Sequence, residues 1–308
     1  MSHWERIVVE LLEVVGALGL AFLFGIAIYV LGSFALTGSY TTRRAFGSSF
    51  RAVFREATLA VLTQPLLPLF YVLGYRMDRF LARRGREGLT QAGVPVVSHV
   101  PIVFVHGYMQ NRVGFLGLAR ALAHRGFGPL YGFNYPWLAS IASNAGRLDR
   151  FVDRVIRETG AAKVDIVCHS MGGLVATEMM RAAALKKDGT SAPLKVRRCV
   201  TIATPHAGIV WRGPIFGLGS ASLRRGSKLL ETQAGQMLAV PCLSIYSAHD
   251  NIVYPKETSS LVKRGGRDFE VEHHAHLAIL FSPKVADAVA TFLAEPDASP
   301  PKKGADPV

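Results

Sequence analysis

Ser170, Asp250 and His276 are of the residue types that together make a hydroxyl nucleophilic, and each stands where an apolar run gives way to a loop or a helix. Ser170 lies in Cys168-His169-Ser170-Met171-Gly172-Gly173-Leu174, between a strand-like run, Lys163 to Val167, and a helix-like run, Gly172 to Lys187. A serine on such a corner has its oxygen lifted clear of the backbone, towards a base and towards the first amides of the helix. The pattern departs from G-x-S-x-G at one place, where Cys168 stands two positions before the serine. The competing reading is an ordinary glycine turn whose serine caps a helix.

The flanking chain supplies partners in order. Pro101-Ile102-Val103-Phe104-Val105 reads as a buried parallel strand running into His106-Gly107-Tyr108. The oxyanion of acyl transfer needs two preorganised donors, one from the residue after the nucleophile and one from the loop after this strand, which makes the amides of Met171 and Tyr108 the candidates. His106 reads as a turn histidine bonded to backbone. Downstream, Leu243 to Ser247 is strand-like and places Asp250 in the loop at its end, where an acid can orient a histidine. Asp165 begins its strand at the wrong end of the sheet, and Asp268 precedes the next strand. That last strand, Asp268 to Glu272, ends in His273-His274-Ala275-His276, before a helix-like run from Pro283 to Leu293. His276 is nearest the point where the chain leaves for the final loop, and we take it as the general base. No second acid or histidine group stands at a zinc spacing from this cluster, so neither a metal nor a cofactor is expected.

Elements able to hold these residues follow from the patterning. Strand-like runs at about 100–105, 129–135, 163–168, 197–203, 241–247 and 268–273 alternate with helical stretches, which predicts an α/β, doubly wound, mainly parallel six-stranded sheet. The stretch from Asn144 to Glu158 shows the helical period: Leu148, Phe151, Val152, Val155 and Ile156 fall on one face, with arginines and aspartates elsewhere. The segment 208–240 carries Trp211, Ile215, Phe216 and Leu218 among glycines. It reads either as a short lid suited to an acyl chain or as an ordinary connection.

Over residues 98–294 the chain resembles the α/β-hydrolases of the bacterial lipase and esterase group. The motifs are Val105-His106-Gly107, His169-Ser170-Met171-Gly172-Gly173, Thr204-Pro205-His206-Ala207-Gly208, His249-Asp250, and His276-Leu277 ahead of Ser282-Pro283. The resemblance implies Ser170 as nucleophile, Asp250 as orienter and His276 as base. The Ser-Pro a few residues on favours His276 over His273 and His274. It further implies an ester hydrolase acting on lipid or other apolar acyl esters. An acyltransferase or thioesterase would share the same acyl-serine, and an inactive hydrolase fold serving as a membrane scaffold is the rival from another class.

The amino-terminal third is membrane material. Residues 14 to 42 contain no charged side chain or histidine, and 14–36 is long enough to cross a hydrocarbon core of about 30 Å as one helix. We therefore expect a transmembrane helix within 1–42, a basic membrane-proximal region at 43–97, and a tail at 295–308 without fixed structure. A second uncharged stretch, 57–75, is a further candidate span. Arginines at 43, 44, 51 and 55 follow the first helix, and others at 76, 79, 83, 84 and 86 follow the second stretch. One span places the catalytic domain in the cytoplasm by the positive-inside rule and two spans place it outside; we take the first. The net charge of +13 suits a domain held against anionic lipid. No nucleic-acid motif accompanies it, so nucleic acid is not an expected partner. The three cysteines all fall in strand-like runs and read as buried thiols.

Overall fold

A computed structural model of the chain describes residues 2–38, 46–63, 77, 97–184, 194–210, 215 and 217–297. Outside these residues lie 64–75 of the second uncharged stretch, the arginines at 43, 44, 76, 79, 83, 84 and 86, Trp211 and Phe216 of the lid candidate, and the tail from 298.

Among the described residues six strands form one sheet: β1 (Ile102–Val105), β2 (Leu130–Phe133), β3 (Val164–His169), β4 (Val196–Ile202), β5 (Cys242–Ser247) and β6 (Arg267–Val271). Their order is β2-β1-β3-β4-β5-β6, and every neighbouring pair is parallel. The helices in chain order are α1 (His3–Gly38), α2 (Phe46–Thr63), α3 (Leu116–Ala123), α4 (Ile141–Thr159), α5 (Met171–Ala184), α6 (Lys228–Ala234) and α7 (Pro283–Ala294). The expected doubly wound parallel sheet is thus the observed one.

The strands at this side of the sheet are mainly apolar because helices cover both faces; every residue of β1, β2 and β3 is buried. On one face α4 and α5 set Leu148, Val152, Val155, Leu174 and Val175 against Val103, Ile166 and Cys168. On the other, α3 and α7 set Leu118, Leu122, Val285 and Val289 against Ile102, Phe104, Val167 and Val200. Burying each such side chain stabilises by about 1.5–3 kcal/mol, which is what holds α4 in place despite its many charges. α4 begins one turn earlier than its periodicity suggests, because Ser140 caps it by accepting from the Ser143 amide at 3.2 Å, and Gly160 ends it in the left-handed region. The chain passes from β1 to β2 on one side and then to β3 on the other. The loops after β1 and β3 therefore part at one crevice on the carboxyl edge, where sheets of this kind receive ligands.

α1 is the one helix among the described residues that is long and apolar enough to cross a membrane. At about 1.5 Å per residue it extends some 54 Å, well beyond a hydrocarbon core of about 30 Å. Only one face of its second half is covered, since Ile28, Tyr29 and Leu31 stay exposed. Leu11, Leu18, Leu20 and Phe24 are 59%, 66%, 70% and 68% exposed, whereas Ile26 and Val30 are 8% and 1% exposed and join the core beneath α3 and α7. α2 packs there as well, through Val53, Ala57, Leu59 and Ala60.

Candidate active site

Ser170 follows the last residue of β3 with φ 53, a left-handed conformation for a non-glycine residue. Two bonds hold it there: its amide donates to Ile202 O at 2.9 Å, and its carbonyl accepts from the Gly173 amide at 3.0 Å. The glycines around it are required by close approach. A Cβ on Gly172 would overlap the Val105 and His106 carbonyls, one on Gly173 would overlap the Thr204 side chain, and one on Gly107 would meet the Ser170 Cβ. These contacts explain why Cys168 is tolerated where a glycine is usual. The tight approaches fall after the serine, and Cys168 points into the core with Sγ 4.0 Å from the free Cys199.

The structure brings Ser170, His276 and Asp250 together, all three buried. His276 Nε2 lies 2.9 Å from Ser170 Oγ, and its Nδ1 lies 2.9 Å and 3.2 Å from the Asp250 carboxylate oxygens. A carboxylate only accepts, so Nδ1 carries the proton and Nε2 is the free acceptor facing the serine hydroxyl, an assignment made from the network. Asp250 Oδ1 is itself fixed by the amides of Ile252 and Val253, each at 2.8 Å. Burial disfavours charge on His276, but Asp250 and, further off, Glu56 outweigh it and raise its pKa above the ordinary imidazole value.

The alternatives considered for these roles are occupied elsewhere. Asp165 pairs with Arg197 through two oxygens at the amino end of β3. Asp268 accepts from the Leu261 amide and the Tyr246 hydroxyl. His274 is bonded to Arg55 and to its own loop, and the His273 ring lies tilted against that of His249, with centroids 4.7 Å apart. Among the described residues no group of histidine, cysteine and acidic side chains is arranged to hold a metal ion.

A family model described as a domain of unknown function (DUF7379) matches residues 81–211. Among solved structures, Aspergillus fumigatus lipase B superimposes with TM-score 0.53 at 16% identity, over 71% of this chain and 57% of its own. A mature Bacillus licheniformis lipase gives 0.51 at 16% identity, over 66% and 96%. A Listeria innocua gene product gives 0.50 at 16% identity, over 64% and 94%. The chain has the α/β-hydrolase fold. It spans little more than half of the Aspergillus lipase, at 57%.

In this α/β-hydrolase fold the two amides singled out for the oxyanion lie beside the serine in different ways. Met171 opens α5 directly after Ser170, and the first amides of a helix have no partner within it. Tyr108 follows Gly107, which abuts Ser170, and its ring meets Trp137 edge-on at 4.9 Å. The loop carrying it is braced by His106, whose Nε2 accepts from the Tyr135 amide while Nδ1 donates to Gly107 O at 2.9 Å. Both rings stack at 4.1 Å. Burial lowers the His106 pKa to about 4, so it stays neutral and structural, as its turn position suggests.

Four further residues bear on the site without having stood out in the sequence. His169 Nε2 donates to the His276 carbonyl at 2.8 Å, and its Nδ1 lies 3.0 Å from the Gln110 side chain. Burial holds the His169 pKa well below the ordinary imidazole value, which keeps the ring neutral. Asn251 accepts from the His276 amide at 3.0 Å. Glu56, on α2, accepts from the amides of Leu277 and Ala278. Its signal in the sequence is slight: one acid between Arg55 and the uncharged run that begins at Ala57.

Proposed function

We propose that the chain is a membrane-anchored serine hydrolase that cleaves carboxylic esters, of lipids or other apolar acyl groups, through an acyl-serine intermediate. The observation that carries this reading is the continuous relay from Ser170 Oγ through His276 to Asp250 at hydrogen-bond distances. Ser170 Oγ attacks the ester carbonyl as its proton passes to His276 Nε2. Asp250 holds the tautomer and stabilises the imidazolium, and the amides of Met171 and Tyr108 bind the oxyanion. The imidazolium then returns its proton to the departing alkoxide. Water, deprotonated by His276, attacks the acyl-serine, and the acid leaves as Ser170 regains its proton.

An apolar acyl group is favoured by the rim of the crevice. The Leu218 amide bonds to Leu138 O at 2.7 Å, which sets Leu218, 82% exposed, beside Leu138, next in sequence to the Trp137 that contacts Tyr108. The ends of the glycine-rich excursion are tied together, with Ile209 N bonded to Leu223 O at 2.8 Å and Arg225 N to Ile209 O at 3.2 Å. A closed loop of this kind with an exposed apolar tip suits a flap over the acyl chain. Two of the structural neighbours are named lipases, which agrees with an ester substrate.

α1, uncharged from Val14 onward, would carry the bilayer span, and the face of its second half that bears Ile26 and Val30 would dock with α2 and hold the domain at the surface. Residues 57–63 of the second uncharged stretch belong to α2, whose Ala57, Leu59 and Ala60 pack against the hydrolase core. This favours one span and a cytoplasmic domain, testable by protease protection in sealed vesicles. The activity is tested by hydrolysis of a chain-length series of p-nitrophenyl esters by detergent-purified protein beside Ser170→Ala and His276→Ala. Turnover that rises towards medium or long chains and is lost in both variants is expected. Absence of turnover and of Ser170-dependent fluorophosphonate labelling in folded protein would refute it.

A further inference from the structure

The histidine-bearing turn is gripped from outside the hydrolase fold. Glu56 on α2 is 3% exposed, and its carboxylate accepts from the Leu277 amide at 2.9 and 3.1 Å and from the Ala278 amide at 2.8 Å. Arg55 beside it reaches both ends of the same segment, at His274 Nε2 (3.1 Å) and Phe281 O (3.2 Å). From α1, Ser33 Oγ accepts from Asn251 Nδ2 at 2.6 Å, and Asn251 in turn accepts from the His276 amide. Two chains of hydrogen bonds therefore run from the anchor helices to the backbone at 276–278. A buried carboxylate is costly where an apolar side chain would pack, and here its charge is met chiefly by backbone amides of the turn that follows His276.

We propose that Glu56 is a positioning residue for His276, and that the docked α1–α2 pair belongs to the catalytic apparatus as well as tethering it. The proposal rests on the triad reading above. Its oxygens fix the turn so that Nε2 meets Ser170, and its charge adds to that of Asp250 behind the imidazolium. The groups facing Glu56 are His276 and Asp250 from the sheet side and the Tyr29 phenol from α1, while Arg55 on its own helix is turned to His274 and Phe281. Burial pushes Glu56 up to about 7, against the pull of the two amides and of His276. Because Glu56 helps to raise the His276 pKa, removing its charge lowers that pKa and moves the acid limb of the rate profile to lower pH.

The test uses full-length protein in detergent or nanodiscs with a p-nitrophenyl ester, comparing wild type, Glu56→Gln, Ser33→Ala and Ser170→Ala. Glu56→Gln places an amide NH2 against backbone N–H donors, and we expect kcat to fall about 10- to 100-fold with KM within about twofold. We also expect the acid limb of kcat/KM to shift to lower pH, a change that a merely structural clasp would not produce. Ser33→Ala removes one hydroxyl from the second chain of bonds and should lower kcat several-fold at unchanged KM. If Glu56→Gln does not fold, Ser33→Ala decides. Wild-type kcat and an unmoved acid limb in Glu56→Gln, or wild-type kcat in Ser33→Ala where that variant decides, overturn the proposal while Ser170-dependent turnover leaves the hydrolase reading standing. Absence of Ser170-dependent turnover in the wild type overturns both.

Discussion

Asp250→Asn separates what the carboxylate does for chemistry from what it does for the fold. Asp250 Oδ1 accepts from two backbone amides at 2.8 Å each, and Oδ2 faces His276 Nδ1 at 2.9 Å. The asparagine oxygen is therefore held at the Oδ1 place by Ile252 and Val253, and its NH2 falls where Oδ2 was. That group donates to Nδ1, so the proton moves to Nε2 and the nitrogen facing Ser170 can no longer accept. The charge is lost as well. A pair of unit charges about 4 Å apart at an effective dielectric near 20 interacts by about 4 kcal/mol, or roughly a thousandfold in rate. With the wrong tautomer added, kcat/KM on a p-nitrophenyl ester should fall by about 10³- to 10⁴-fold. Stability should change by less than about 1 kcal/mol, since both amide bonds remain. Asp250→Ala leaves two amides unpaired and should cost about 2–6 kcal/mol in addition to activity. Activity above a tenth of wild type in Asp250→Asn, or equal melting losses in the two variants, would show that this account of the loop is wrong.

Three further outcomes follow from the packing and charge of the fold. Gly173→Ala drives a methyl into Thr204 and should cost about 1–3 kcal/mol with slowed fluorophosphonate labelling; a wild-type melting point and labelling rate would contradict the crowding. Asp165→Asn breaks the pair of a fully buried aspartate with the partly exposed Arg197 and should cost about 1–3 kcal/mol by denaturant titration, while kcat of the folded fraction stays within twofold; a selective loss of kcat would return Asp165 to the site. His106 is held neutral with its pKa lowered to about 4, so between about 6.5 and 4 the unfolded chain takes up a proton that the folded chain does not, and stability falls as pH falls. His206, lowered to about 3, adds in the same sense, and Glu56, raised to about 7, opposes both. The decline in melting temperature over that window should be shallower in His106→Gln, and an identical slope would mean that His106 is not the titrating group.

The three residues that the structure brings together are legible because each is announced locally. Ser170 sits between a strand run and two glycines, Asp250 just beyond β5, and His276 just beyond β6. Their distances apart in sequence did not matter, because a parallel sheet brings the carboxyl ends of its strands to one edge. The strands were legible for the same reason, since a strand buried on both faces is an apolar run whatever its neighbours. What escaped was partnership between distant segments. Nothing near Glu56 announces a contact 221 residues away, and Asn251 resembles any loop amide beside an acid. The start of α4 is not legible because Ser140 and Ile141 precede the charged periodicity that marks the helix.

The division between legible and hidden residues follows the mechanics of the site. Ser170 is set by the middle of the sheet, where β3 is paired on both sides and the glycines of α5 leave no room for another geometry. His276 is set by much less. It hangs between β6, the last strand of the sheet, and α7, on a segment with one short helical turn, Ala278–Phe281. Its carbonyl is held by His169, its amide by Asn251, and the next two amides by Glu56, from three separate elements. On the proposed mechanism, a histidine held by borrowed contacts can lose alignment while the corner at Ser170 stays intact. Damage to these braces should therefore appear in kcat before it appears in stability or in the conformation of Ser170.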